Sequence, residues 1–545
     1  MQAANAWLPS AAELHLFGPE LILVGTIVAV LLAPLAAGRR TYLTPLLTLA
    51  GALLGVLATG TVLDAVADGG YGAMSPSGVP PMLIADRFAA FFKLFLLAFL
   101  VLIVCLWTVG VAVRETGGPA AFGQNGQVGG PEFFVLLLTS ALGLMLMVGT
   151  LNLLVMIVAI ETASLPSYAL VASDKRSRLG AEAALKYVMF GAASAAVMVY
   201  GVSLLYGRFG TLDLSLIAAR AAATPATLDV IFWLGLVALG VGIAFKIAAV
   251  PMHLWCPDVF QGAPIEITTW LSVASKAAGL GLLLRIVDAF SLHVGYGGPP
   301  LQPLAWGIGV IAAVTCTVGN LAALRQESVK RILAYSSIAH AGYMMMAAAI
   351  LIAPRGGPHT NVGMAAVVAY LLVYVTMNVG AFGATALVAW RTGSDHLSSF
   401  TGLGRRAPWL ALPMAVCLFS LVGLPPLGGF AAKWFLLIAL GKSAAVQPWL
   451  WVLVIVAVVN TAISLYYYVR IIRQMYLTDD AAQPAVAMPF GGLVLVNACA
   501  VLLLLLGTVW FSPLGHRADA MASYLFDHAV AARTPAPVPN AGSQG

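Results

Sequence analysis

GLVALGVGIAFKIAAVPMHLW, residues 235–255, is an apolar run that carries one lysine, Lys246, and a proline five residues later, Pro251. A second lysine, Lys276, lies in the next apolar run. Each run is long enough to cross a membrane, which takes about 20 residues. A charged side chain at bilayer depth costs about 2.5–3.5 kcal/mol or more, so it normally faces the protein interior or a hydrated cavity.

Pro251 predicts that the helix breaks just beyond Lys246. Proline has no N–H to donate to the Ile247 carbonyl, and its ring disturbs the preceding turn. Broken backbone is tolerated at membrane depth only where protein or water covers it. A buried lysine beside such a break is typical of a transport site.

The composition indicates a polytopic membrane protein. Hydrophobic residues make up 61% of the chain and charged residues only 9%, against about 25% charged in soluble domains. The formal charge is +6, but the basic residues are scattered among loops, which argues against a nucleic-acid partner. The five cysteines form no CxxC pair, and the sequence contains no metal-cluster, haem-attachment or nucleotide-binding motif. Any redox chemistry is therefore expected in other proteins.

Fourteen membrane-spanning helices are predicted from runs of about 20 apolar residues. The first run begins near Phe17 and lacks the basic region and cleavage site of a secretory signal, so we interpret it as a retained helix. The predicted spans are 17–36, 42–63, 88–113, 132–149, 151–172, 182–206, 229–250, 265–290, 303–324, 329–352, 364–390, 408–440, 448–476 and 488–511.

Lysine and arginine in the loops predict the orientation. Loops that follow odd-numbered helices carry fourteen basic residues, whereas the opposite side, with the C-terminal tail, carries seven. We therefore expect both termini outside and the loops 175–178, 325–331 and 391–406 inside. The Pro- and Ala-rich tail 516–545 is expected to be disordered.

Few charges remain inside the predicted spans, and their depth suggests their roles. Glu161, Lys246, Lys276 and Lys433 lie far from helix ends, which favours a function. Lys93 and Arg285 lie near helix ends, where a long side chain can snorkel to the interface, so we expect a structural role for both. Lys186, near the inner end of its helix, is open to either interpretation.

Helices four to eight and nine to thirteen are predicted to be two inverted five-helix repeats. The twelfth helix, like the seventh, combines a proline break, Pro425-Pro426, with a lysine, Lys433. The two prolines leave the carbonyls of Leu421 and Val422 without their usual donors. An odd number of helices in each unit inserts the second copy from the opposite side, as in inverted-repeat transporters. The predicted divisions are 1–131, 132–290, 291–476, 477–515 and 516–545.

Several longer motifs resemble the antiporter-like membrane subunits of respiratory complex I, the NADH–quinone oxidoreductase. These motifs are Glu161–Ala172, Glu182–Tyr187, Phe245–Pro264, Leu271–Lys276 and Arg331–Tyr343, and the resemblance extends over roughly residues 80–475. It implies a glutamate on helix five paired with a lysine on helix seven, followed by a lysine on helix eight and a charged residue on helix twelve. In this chain these are Glu161, Lys246, Lys276 and Lys433. Glu266 stands where relatives more often have no acid, and we favour a helix cap over a place in the proton path.

The resemblance also implies a function, partners and a location. It predicts a proton-translocating subunit of a NADH:quinone oxidoreductase in the bacterial inner membrane, next to sister antiporter-like subunits and lipid. NADH, FMN, iron–sulfur clusters and quinone would belong to partner subunits. His340 can titrate near neutral pH, as a proton relay or as a hydrogen-bonded packing residue. Two alternatives remain: a subunit of a multi-subunit cation/proton antiporter, and a structural spacer whose charges only hold helices together.

Overall fold

The computed structural model describes residues 11–37, 42–66, 72–74, 81–115, 130–223, 229–294, 301–350, 362–478, 488–511 and 513. The predicted disordered tail 516–545 lies outside these residues. Within them the protein is all-α apart from a two-stranded antiparallel sheet, β1 (Gly72–Met74) with β2 (Leu83–Ala85), and two isolated bridges.

The first half of the described chain contains three short helices among a series of long ones. They are α1 (Ala11–Leu16), α2 (Gly18–Ala37), α3 (Leu43–Ala65), α4 (Arg87–Glu115), α5 (Pro131–Val148), α6 (Leu153–Val171), α7 (Arg178–Phe209), α8 (Leu214–Ala223), α9 (Val230–Ile247) and α10 (Trp255–Gly262), of which α1, α8 and α10 are the short ones. Next, α11 (Ile265–Trp270) and α12 (Lys276–Val294) are joined by a π-helical segment, Leu271–Ser275.

The second half continues in the same way. Its helices are α13 (Gln302–Ala323), α14 (Val329–Ile350), α15 (Val362–Thr392), α16 (Leu403–Arg406), α17 (Pro408–Val422), α18 (Gly428–Ala444), α19 (Leu450–Tyr476) and α20 (Phe490–Gly507), with a 3₁₀ turn at Leu397–Phe400.

Each of the fourteen predicted spans coincides with helix to within a few residues. In the described part of the chain, twelve helices are long and apolar enough to cross a membrane. The two predicted spans outside this set are α14 and the span at 408–440, which is not one helix but two, α17 and α18. The count of fourteen, the repeat boundaries and the orientation therefore stay predictions, whereas the all-α polytopic membrane fold is confirmed.

The break predicted beyond Lys246 is present. Helix α9 ends at Ile247, and Ala248 adopts a left-handed conformation with φ of 62° before the chain resumes as α10. The freed polar groups bind elsewhere: Trp255 Nε1 donates to the Phe245 carbonyl (3.2 Å), Ser275 Oγ to the Lys246 carbonyl (2.8 Å), and the Val250 N–H to Thr315 Oγ1 (3.0 Å). Polar groups of the protein therefore bind the backbone around this break, although Pro251 and Leu254 themselves are exposed.

The second break separates α17 from α18 around Pro425-Pro426. Helix α17 ends at Val422, and Gly423 follows with a φ of 89°, which favours glycine. The Gly429 N–H, at the start of α18, donates to Ser420 Oγ over 2.9 Å. A Cβ on Gly429 would lie 1.7 Å from the Ser420 carbonyl oxygen, so only glycine lets the two half-helices approach this closely. Each run of five predicted helices thus has its break in the fourth helix.

The expectation that Lys93 and Arg285 snorkel is wrong. Lys93 is 1% exposed, and its Nζ lies 2.5 Å from Glu20 Oε1 on α2 and 5.3 Å from the centre of the Phe17 ring. Arg285 is 3% exposed and makes two hydrogen bonds to the Asp86 carboxylate, of 2.9 and 2.8 Å. Each cation is paired with an acid from another part of the chain, so neither has to reach the interface. These contacts are those of the structural role predicted for both residues, which stays a prediction.

Substitution of Lys93 by methionine tests the pairing with Glu20. We expect Lys93→Met to lower the thermal stability of the purified protein strongly, because removing one partner of a buried pair costs about 3–5 kcal/mol. The double variant Lys93→Met, Glu20→Leu should recover most of the loss, since it buries no unpaired charge. Thermal unfolding followed by tryptophan fluorescence measures both. A double variant as unstable as the single one would contradict this account.

Candidate functional site

Glu161 and Lys246 lie at the first break. Lys246, in the last turn of α9, is 2% exposed, and its Nζ donates to Ser164 Oγ on α6 over 3.0 Å. Glu161 lies three residues before Ser164 and is half-buried. Its carboxylate is close enough to interact electrostatically with the lysine, but the two do not form a direct ion pair within the described residues. The predicted pair is therefore brought together, with a serine hydroxyl as the lysine's contact.

Lys276 begins α12 directly after the π-helical segment. Its side chain is 1% exposed, and its Nζ lies 5.1 Å from the centre of the Phe260 ring. The Nζ has no hydrogen-bond partner among the described residues. An aromatic face compensates only part of the cost of a buried ammonium. π-Helical turns inside α-helices are frequent at functional sites. Here Lys276 is the residue that directly follows the π-helical turn.

His340, on α14, lies in a cage of tyrosines. Its Nδ1 is 2.7 Å from the Tyr370 hydroxyl, and its ring centre lies 5.3–5.9 Å from those of Tyr343, Tyr370 and Tyr374. The Tyr374 hydroxyl donates to the Ser272 carbonyl in the π-helical segment over 3.3 Å. The cage on α14 and α15 therefore reaches the segment that precedes Lys276.

Lys433 lies at the second break. Its Nζ donates to the Val422 carbonyl over 2.9 Å and lies 3.5 Å from Thr461 Oγ1 and 4.6 Å from the centre of the Tyr343 ring. The carbonyl that Pro426 leaves without its usual donor is thus bound by the site lysine itself. His340 lies beside the other such carbonyl, that of Leu421.

Side-chain contacts, together with neighbouring positions on α6 and in the π-helical segment, link these residues across both halves of the chain. The series runs from Glu161, Ser164 and Lys246 through Ser275 to Lys276 and the π-helical segment, then through Tyr374, His340 and Tyr343 to Lys433. We call it the central series. All four residues predicted from their depth, together with His340, belong to it.

Lys186 lies outside the central series. Its Nζ is 2.8 Å from Glu182 and 2.8 Å from Asp258 on α10, and the other Asp258 oxygen accepts from Arg331 on α14 over 2.7 Å. The Lys186 side chain is 40% exposed. Of the two interpretations left open, the contacts favour a charge cluster that ties α7, α10 and α14 together. Asp258 is the acid that sequence reasoning missed, although it stands inside one of the motifs quoted above.

Lys330 is a second residue that sequence reasoning missed. The sequence predicts it as a loop lysine, yet it is 3% exposed, and its Nζ donates to the carbonyls of Gln261 (2.9 Å) and Ala263 (2.7 Å). A cation at these positions stabilises the C-terminal end of α10. Glu266, fully buried in the first turn of α11, is close enough to interact electrostatically with Lys330. Hydropathy alone could not indicate that Lys330 is buried, because the residue lies next to other basic residues of the predicted loop.

The chain has relatives among known proteins. Residues 150–464 match the model of the NADH:quinone oxidoreductase/Mrp antiporter transmembrane family. The chain is 38% identical to NADH-quinone oxidoreductase subunit N of Anaeromyxobacter sp. (strain Fw109-5), over 91% of this chain and 94% of that protein.

Solved structures include similar folds. A chain of respiratory complex I from Thermus thermophilus is 32% identical, with a TM-score of 0.68 over 91% of this chain and 98% of that one. A chain of the Mrp complex from Dietzia sp. DQ12-45-1b has a TM-score of 0.75 over 96% of this chain and all of that one, but at 20% identity it supports the fold alone. Since the family match covers more than half of the chain and the relatives align over most of it, this protein belongs to the NADH:quinone oxidoreductase/Mrp antiporter family of transmembrane proteins.

Proposed function

We propose that the chain is a proton-translocating membrane subunit of a NADH–quinone oxidoreductase, respiratory complex I, and that it couples electron transfer in partner subunits to proton transport. The observation that carries this proposal is the central series, in which buried titratable groups lie at both helix breaks and are connected between them. Broken helices with ionisable groups at membrane depth mark transport pathways.

Finer features of the assignment belong to the same proposal. The Leu165–Ala172 run, and a lysine rather than a glutamate at position 433, favour the subunit N type. NADH, FMN, iron–sulfur clusters and quinone are then held by partner subunits, and this chain contributes to a translocase without a redox centre of its own. The bacterial relatives support an inner-membrane location, and the distribution of loop cations supports an orientation with both termini outside.

Proton loading at the first break follows from simple electrostatics. Two unit charges 4 Å apart interact by about 4 kcal/mol at an effective dielectric constant of about 20, and by about half of that at twice the distance. A change of about 1.4 kcal/mol alters a proton-binding constant tenfold. A movement of a few ångströms between Glu161 and Lys246 is therefore enough to load or unload the lysine. Ser164 holds the ammonium in place without fixing its charge.

Transfer between the two breaks depends on Lys276 and His340. Lys276 has an aromatic ring beside it but no carboxylate in contact. A positive charge on a neighbouring group therefore disfavours protonation of Lys276, and loss of that charge favours it. His340 lies between the tyrosines that contact the π-helical segment and the tyrosine that faces Lys433. This position supports the relay interpretation of His340 over simple packing.

The rival functions differ in what accompanies the chain and in what its charges do. The matched family also includes Mrp antiporters, which keeps a cation/proton antiporter subunit as the alternative. Subunit composition after mild extraction separates the two: co-purifying NADH dehydrogenase and quinone-site partners support complex I, whereas their absence from an intact assembly contradicts it. A structural spacer predicts that charge-neutral substitutions in the central series leave proton pumping intact.

Glu161→Gln tests the first break. We expect proton transport per electron to fall to about a tenth or less, because the lysine loses the charge that modulates its proton affinity, while assembly is largely retained. Proton gradient and electron transfer are measured in the same vesicles. Glu182→Gln, which removes an exposed carboxylate outside the central series, is the matched control. Unchanged pumping in Glu161→Gln would remove this residue from the mechanism.

Lys246→Arg separates a cycling proton from a fixed charge. Arginine keeps the positive charge but does not deprotonate in proteins, so we expect this variant to pump as poorly as Lys246→Ala. Lys93→Arg is the control, because Lys93 is equally buried yet ion-paired. Near-normal turnover of Lys246→Arg would mean that the position supplies only a fixed charge.

Lys433→Met tests the second break. If Lys433 transfers protons, the complex should assemble while quinone reduction and pumping fall together, because a blocked proton exit holds back the coupled electron transfer. If the lysine only satisfies the Val422 carbonyl, assembly should suffer while surviving complexes work normally. Native gels with NADH–quinone activity per assembled complex decide, with Lys442→Met in the last turn of α18 as control. Full activity per complex would exclude a proton-transfer role.

A further inference from the structure

A column of buried and half-buried hydroxyl and amide side chains runs from Lys433 toward the loop between α13 and α14. Its members come from three helices: Thr317 and Asn320 on α13, Ser336 and Tyr343 on α14, and Asn460, Thr461, Tyr467 and Tyr468 on α19. Arg470, farther along α19, donates to the carbonyls of Leu324 and Gln326 in that loop, which is rich in basic residues. The column therefore extends from the second break toward the basic-loop end of the protein.

The end of the column at Lys433 consists of hydroxyl groups. The Tyr343 hydroxyl is 3.3 Å from Thr461 Oγ1, which is itself 3.5 Å from Lys433 Nζ. At the other end, Ser336 Oγ is hydrogen-bonded to the Tyr468 hydroxyl, and the rings of Tyr467 and Tyr468 are 4.4 Å apart. Each hydroxyl can accept one proton and donate another, so both ends are suited to proton transfer.

An amide pair interrupts the column in the middle. Asn320 Nδ2 donates to Asn460 Oδ1 over 3.0 Å, and Asn460 Nδ2 donates to Thr317 Oγ1 and to the Val456 carbonyl, each over 3.0 Å. The Tyr467 hydroxyl donates to Asn320 Oδ1 over 2.9 Å. Asn320 and Asn460 are almost completely buried.

The chemistry of the amide group decides what this pair does to a proton. An amide NH₂ only donates hydrogen bonds, and an amide oxygen only accepts them. A proton delivered to one side of the group has no equivalent proton to release on the other side, unlike at a hydroxyl or a water molecule.

We propose that Asn320 and Asn460 form a proton barrier that isolates Lys433 from the basic-loop end of the protein. Lys433 then exchanges its proton with His340 and with the opposite end only. This inference rests on the proposed function, because a barrier matters only if Lys433 transfers protons.

Two variants that remove the amide chemistry test the barrier. Asn320→Asp introduces a proton carrier, and Asn460→Ser leaves a hydroxyl with room for water. The passive proton leak is measured in vesicles that contain the assembled complex but no substrate. We expect the leak rate to rise between about tenfold and about 10²-fold, the upper value being what a well-positioned proton carrier contributes in catalysis. NADH oxidation should persist and become insensitive to added uncoupler.

Three controls separate a barrier from general loss of packing. Asn320→Leu keeps the branched shape and the number of heavy atoms but cannot carry a proton, so we expect no added proton leak. Vesicles with Asn497→Asp, a change on α20 away from the column, should also show no added proton leak. Addition of Lys433→Met to Asn320→Asp should abolish the leak, because the leaked proton passes through Lys433.

The outcomes decide between the possibilities. An unchanged proton leak with both Asn320→Asp and Asn460→Ser would overturn the barrier. A leak with Asn320→Leu as large as that with Asn320→Asp would also overturn it. Failure of all three column variants to assemble would leave the pair a packing role only. Normal pumping by Lys433→Met alone would instead refute the proposed function.

Discussion

A peptide group that loses its helical partner inside a bilayer must find another polar group within the protein, because hydrocarbon offers none. This chain breaks two helices at membrane depth, after Ile247 and after Val422. Side chains bind the groups freed at both breaks, and several of these side chains stand in or next to the central series. The Lys433 ammonium on the Val422 carbonyl is the clearest case, since one contact both seals a break and holds a titratable group.

The two halves of the chain depend on each other at the first break. Thr315 on α13 binds the Val250 N–H, Lys330 on α14 binds the end of α10, and Tyr374 on α15 reaches the π-helical segment. A change in the first half that moves α10 must therefore disturb groups in the second half. These contacts connect the first break to the second half of the chain, and they are the physical route that the proposed proton loading at Lys246 requires.

Five of the buried cations that the structure describes fall into two classes according to their partners, whereas Lys330 is bound by two carbonyls at the end of α10. Lys93 and Arg285 each contact a carboxylate, so their charge is fixed and they stabilise helix packing. Lys246 contacts a hydroxyl, Lys433 a carbonyl and a hydroxyl, and Lys276 an aromatic ring. A lysine without a contacting carboxylate loses less when it gives up its proton, which suits transfer better than anchoring. Burial alone does not distinguish the classes, since all five side chains are almost inaccessible.

The sequence by itself determined the membrane class, the places of the helices, the break beyond Lys246, the break at Pro425-Pro426 and the four deep charges. These follow from composition, from hydrophobic length and from the missing N–H of proline, all of which are local properties. Only the tertiary structure decided which partner each charge has. Hydropathy gives the depth of a side chain along its own helix, but it does not identify the helix packed beside it. The sequence therefore could not reveal three contacts: Glu20 with Lys93, Asp258 with Lys186, and Lys330 with the Ala263 carbonyl at the end of α10. The partners in these contacts lie about 70 residues apart along the chain, and helix packing brings them together.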